Sequence, residues 1–92
     1  MDSAPLILLV DDEEDLCTLM SMTLSRMGMH THVAHKVSEA KVLLSKNNYD
    51  ACLTDFNLPD GNGVELVEHI SKNYPNIPIA DSLYKHLRNP SI

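Results

Sequence analysis

Ninety-two residues, 43% hydrophobic and 22% charged, suffice for one soluble globular domain, whose small core buries roughly 60 to 65% of the unfolded surface. Thirteen acidic against seven basic residues leave a net charge of −6, which excludes a basic face for nucleic acid, and two cysteines, Cys17 and Cys52, are too few for a disulfide-stapled secreted module. The longest apolar run, Leu6 to Val10, is shorter than a signal-peptide core or a membrane span and follows an acid, Asp2, so a reduced cytoplasmic setting without membrane contact is expected.

Leu6-Ile7-Leu8-Leu9-Val10 is apolar without a break, the pattern of a strand buried on both faces of a parallel sheet. From Glu13 to Met27 the spacing turns helical, with Leu16, Met20, Leu24 and Met27 on one stripe. Acids in the first turn favour that helix start, and Gly28 suits its stop. Met29 to Ala34 alternates and reads as an exposed edge strand, where polar side chains such as His30 and His32 guard against aggregation. Ser38 is placed to cap a second helix with Ala40, Leu43 and Leu44 inward. Tyr49 to Thr54 is a third strand, buried through Ala51, Cys52 and Leu53. Asp55 to Gly63, with Pro59 and two glycines, reads as a loop. Val64, Val67, Ile70 and Tyr74 form a third helical stripe closed by Pro75, and Ile77 to Ala80 starts a fourth strand. Met20, Met27, Cys17 and Cys52 are expected to serve as packing.

The order βαβαβαβ predicts an α/β fold: an open, doubly wound, flavodoxin-like parallel sheet with helices on both faces and strand order 2-1-3-4. Strands beginning near residues 6, 29, 49 and 77 repeat about every 24 residues, so a common five-unit sheet needs about 118 residues. The stretch from Asp81 to Ile92 holds no apolar run fit for a strand, so the fifth strand is expected to be absent. Residues 1–80 are expected to form an incomplete domain, and residues 81–92 a divergent tail with a short helix capped by Asp81. Truncation, a frameshift and an internal deletion all fit that tail. A fourth strand left at the edge with Ile77 and Ile79 predicts either association through that edge, as in a homodimer, or cover from neighbouring molecules or a further segment.

Asp11 and Asp12 end the first strand and Asp55 ends the third. In the predicted order these strands are neighbours, so three carboxylates converge where doubly wound sheets bind ligands. Like charges this close repel unless a cation intervenes, and an all-oxygen cluster suits Mg²⁺. The plain alternative, that Asp11 and Asp12 cap a helix while Asp55 opens a turn, leaves the matching placement of Asp55 unexplained. Asp55-x-Asn57-x-Pro59-Asp60-Gly61 is not a calcium loop, because Pro stands fifth, glycine seventh and Leu66 twelfth. Gly61-Asn62-Gly63 lacks the Lys and hydroxyl of a P-loop. His30, His32 and His35 have no Cys or acid nearby to complete a metal site and read as a solvated edge.

Leu9-Val10-Asp11-Asp12-Glu13, followed downstream by Leu53-Thr54-Asp55-Phe56-Asn57-Leu58-Pro59-Asp60-Gly61-Asn62-Gly63, resembles the receiver domain of bacterial two-component response regulators. The resemblance runs from residue 5 to about residue 80. It implies that Asp55 accepts a phosphoryl group from a sensor histidine kinase and that Mg²⁺ is held by Asp12 directly, by Asp11 largely through water, by Asp55, and by the main-chain carbonyl of Asn57. The wording around Arg26-Met27-Gly28 and Leu58-Pro59-Asp60-Gly61 looks most like receivers of sigma-54-dependent transcription activators, including type IV pilus regulators. A phosphoacceptor signalling domain, not an enzyme, with a transcriptional output is therefore expected. The family's Ser or Thr after the fourth strand and Lys after the fifth are not recognisable, and neither Ser82 nor Lys85 is assigned those roles. That departure keeps open a non-phosphorylated, receiver-like interaction module. A Mg²⁺-dependent phosphohydrolase is disfavoured, since Asn57 stands where its second acid is needed.

Overall fold

The apolar run Leu6–Val10 forms β1, with Ile7 through Val10 all buried as a central strand requires. The computed structural model describes residues 4–55, 57, 58 and 61–81. After β1 come α1 (Glu14–Arg26), β2 (His30–Ala34), α2 (Val37–Lys46), β3 (Ala51–Thr54), the two-residue strands β4 (Asn57–Leu58) and β5 (Gly61–Asn62), α3 (Gly63–Asn73) and β6 (Ile79–Asp81). Among the described residues the main sheet has four parallel strands in the order β2-β1-β3-β6, the expected 2-1-3-4. Inside the expected loop, β4 and β5 pair antiparallel as a small separate ribbon.

Leu8, Val10, Ala34 and Cys52 pack with Val37, Ala40 and Leu44 of α2 and Leu66 and Ile70 of α3 in one core. Strand alternation turns Ile7 and Leu9 to the opposite face, and α1, with Cys17 and Leu24 buried, lies against β2. Both cysteines are buried and free, as packing residues should be.

Two helix faces are turned relative to the sequence reading. In α1 the inward positions are Cys17 and Leu24, seven apart, with Leu16 and Met20 half-buried beside them. Met27 is 63% exposed because the helix has already ended. Gly28 at φ +88° donates its N–H to Ser25 O at 3.0 Å, and Met29 donates to Leu24 O at 3.0 Å. That pair of bonds is the Schellman stop, which only a glycine adopts without strain. In α3 the buried positions are Gly63, Leu66 and Ile70, while Val64 is 54% exposed.

Smaller corrections follow from hydrogen bonding. Lys36, not Ser38, occupies the α2 cap, and it makes no side-chain cap bond. Glu39, in the first turn, reaches back instead to accept the His35 N–H at 2.7 Å, a variant of the capping box. Tyr49 precedes β3, but its ring is buried and its hydroxyl lies 2.8 Å from His32 Nδ1 and 3.3 Å from Asn47 Nδ2. His30 is exposed, whereas His32 and His35 are half-buried and hydrogen-bonded, so the edge is only partly solvated. The fourth sheet strand begins at Ile79, because Pro78 has no N–H for the ladder. Asp81 extends that strand opposite Thr54. The tail helix expected to follow it lies outside the described residues.

The two faces of α3 give a direct test. Leu66→Ala is expected to cost about 2 to 5 kcal/mol, because it opens a cavity beneath the sheet. Val64→Ala is expected to stay within about 0.5 kcal/mol. Urea denaturation of both variants checks the assignment.

Candidate functional site

Register places the acids. Val10 pairs with Thr54 in the parallel ladder between β1 and β3, so the residues that follow, Asp11 and Asp55, leave the sheet side by side. The ladder runs one residue past each strand end: Asp55 N–H donates to Val10 O at 2.9 Å, and Asp11 N–H donates to Ala34 O at 3.0 Å. Asp11 is fully buried and Asp55 is 6% exposed, while Asp12 faces solvent. One carboxylate oxygen from each of the three lies within 4.8 Å of the other two.

Each acid has a local reason for its place. Asp11 Oδ1 accepts the Glu13 N–H at 3.0 Å, which turns the chain into α1. Glu14 and Asp15 then fill the first turn, where the helix dipole favours negative charge. Thr54 Oγ1 donates to Asp55 O at 3.0 Å and holds the peptide beyond the nucleophile candidate. Asp11, Asp12 and Asp55 thus come together as the spacing predicts. Asn57 sits two residues on, in β4, where its main chain pairs with Asn62. Ser82 and Lys85 lie outside the described residues.

Two contacts to the site carry no sequence signature. The main-chain oxygen of Asp11 lies 2.8 Å from His35 Nδ1 and accepts the Cys17 thiol at 3.5 Å. Burial, reinforced by the charges of Asp11, Asp12, Glu13 and Glu14, pushes the Cys17 thiol up to about 11. Burial alone pushes Cys52 up to about 12. Both therefore stay protonated and unreactive at neutral pH. The predicted proximity of strands 1 and 2 was the one available pointer to His35.

The donor set fits a hard divalent cation: all-oxygen, multiply negative, buried on one side and open through Asp12 on the other. Such a group at the carboxyl edge of a doubly wound sheet is also where ligands bind in this architecture.

Residues 7–81 match the response regulator receiver domain. The chain belongs to that family. It is 47% identical over 73 residues to the response regulator protein PilR of Pseudomonas aeruginosa, covering 79% of this chain and 16% of PilR. It is 36% identical over 73 residues to the transcriptional regulatory protein TrcR of Mycobacterium tuberculosis, covering 78% of this chain and 28% of that protein. Among solved structures, the complex of histidine kinase ThkA with response regulator TrrA superposes with a TM-score of 0.79 at 28% identity, covering 84% of this chain and 66% of the matched one. The chain thus spans well under half the length of both curated relatives. As a receiver domain it is a signalling domain, and receivers generally bind Mg²⁺ at an acidic cluster of this kind. Among the described residues, no helix is long and apolar enough to cross a membrane.

The two thiols give the fold a pH dependence. Their folded values lie above the ordinary 9.0, so the unfolded chain releases these protons first as pH rises. Their contribution is fully present below about pH 9 and is lost as pH climbs toward 11 and 12. Urea melts from about pH 8 to about pH 11 should show falling stability, and Cys17→Ala/Cys52→Ala should show a shallower fall.

Proposed function

We propose that this chain is the phosphoacceptor part of a two-component response regulator, in which Asp55 receives a phosphoryl group from the phosphohistidine of a sensor kinase. The observation that carries the reading is the convergence of three carboxylates within 4.8 Å, with Asp55 buried at the end of β3 and Asp12 open to solvent. A carboxylate oxygen of Asp55 attacks phosphorus. The new P–O bond makes an acyl phosphate while the P–N bond to the kinase imidazole breaks, and the departing imidazole takes up a proton. Asp12, Asp11 (largely through water), Asp55 and the main-chain carbonyl of Asn57 would hold Mg²⁺, which when bound neutralises charge on the transferring phosphoryl oxygens.

Burial of Asp11 and Asp55 keeps their carboxylates fixed in direction, and exposure of Asp12 leaves the entry side open to a partner. The kinase as partner is supported by the fold shared with the complex of response regulator TrrA and histidine kinase ThkA. A transcriptional output is supported by the likeness to the transcriptional regulatory protein TrcR, and a cytoplasmic location by membership of the receiver family. The domain acts by storing a phosphoryl group rather than by turning over a substrate.

Incubation with acetyl phosphate and Mg²⁺ should add one phosphoryl group to the wild type by mass spectrometry and none to Asp55→Asn. A modified Asp55→Asn would overturn the assignment of the nucleophile. For the metal, a tenfold excess of Mg²⁺ over its Kd should stabilise the wild type by about 1.4 kcal/mol, roughly 6 to 11 °C in Tm for a domain of this size. Asp12→Asn should lose that gain and melt higher than wild type without metal, because one of three mutually repelling charges is gone.

A further inference from the structure

β1 leaves the sheet at Asp11, whose main chain is held from two sides. Asp11 N–H makes the last ladder bond toward β2, to Ala34 O at 3.0 Å, and the next peptide links Asp11 to Asp12. The oxygen of that peptide faces the connection between β2 and α2, where His35 Nδ1 lies 2.8 Å away. A carbonyl oxygen only accepts, so Nδ1 carries the proton and donates. The imidazole is itself presented from a held backbone, because the His35 N–H donates to Glu39 Oε1 at 2.7 Å. The same Asp11 oxygen also takes the longer Cys17 thiol contact at 3.5 Å, from α1.

A peptide group is planar. Holding its oxygen from the β2–α2 connection on one side and from α1 on the other therefore sets the direction in which the Asp12 Cα departs, and with it the reach of the exposed Asp12 carboxylate. We infer that His35 is a positioning residue: through its Nδ1–H it holds the Asp11–Asp12 peptide and so aims the Asp12 carboxylate at Asp55. The inference rests on the reading of Asp11, Asp12 and Asp55 as a Mg²⁺ site for its consequence, though not for its geometry.

Two variants separate the hydrogen bond from the ring. His35→Asn keeps an N–H donor near the Nδ1 position and loses the ring, while His35→Phe keeps the ring and loses the donor. Mg²⁺ affinity is read from amide shifts by NMR, alongside thermal melts of each variant. The expected result is an affinity in His35→Asn within about twofold of wild type and a loss on the order of tenfold in His35→Phe, the low end for an outer partner of a metal ligand. The reverse order, or equal affinity in all three, overturns the inference, since a purely structural ring would move the melting temperature and not this ranking. A second readout needs no metal: the Asp12 amide ¹⁵N shift should move in His35→Phe and return in His35→Asn. If the wild type binds no Mg²⁺, the metal reading fails and this shift alone decides, an unmoved shift overturning the inference. Should His35→Phe not fold, imidazole ¹⁵N spectra of the wild type decide, since a bare Nδ1 overturns it and a protonated Nδ1 supports it.

Discussion

Everything functional in this domain depends on the parallel register of β1 against β3. With Val10 opposite Thr54, the two strands end level, and the acids that follow them emerge at one edge. A one-residue slip would reverse every side chain of a strand between the two faces. It would put Leu8 and Val10 out of the core they share with α2 and α3, so the apolar packing and the acid geometry are enforced by the same register. Burial of the sheet interior is what keeps the carboxylates together.

That grouping opposes folding, since two of the three acids are withdrawn from water. The surroundings offset it locally. Asp11 Oδ1 has the Glu13 N–H, and both Asp11 and Asp55 donate their main-chain N–H groups into the sheet ladder. The further acids at Glu14 and Asp15 sit where the start of α1 tolerates negative charge. The site thus has a buried inner wall and a charged, open outer side, which suits the cation and phosphoryl donor proposed for it.

The β2 edge serves the site as well as the sheet. His32, in mid-strand, is tied to Tyr49, and His35, just past the strand end, is tied to the main-chain oxygen of Asp11. Histidines that read as solubilising edge residues are instead half-buried bridges between β2 and its neighbours. Lys41 and Glu65, 3.3 Å apart across α2 and α3, are both substantially exposed and add little to stability by comparison.

By itself, the sequence determined the order of the main-sheet strands and helices, the strand order 2-1-3-4 and the meeting of Asp11, Asp12 and Asp55, but not the small β4–β5 ribbon. Those features follow from local signals: an unbroken apolar run needs cover on both faces, and acids directly after two such runs must share an edge once the runs are neighbours. The tertiary structure alone decided the phase of the helices and the partners of His32 and His35. Val64 and Leu66 lie two residues, about 200°, apart around the helix, and both are apolar, so they are told apart only by which one meets the sheet. Met27 fell outside its helix because the Gly28 stop closes one residue earlier than the apolar pattern runs. His35 lies 24 residues from Asp11 along the chain. No local pattern encodes a hydrogen bond that exists only because β2 closes against β1.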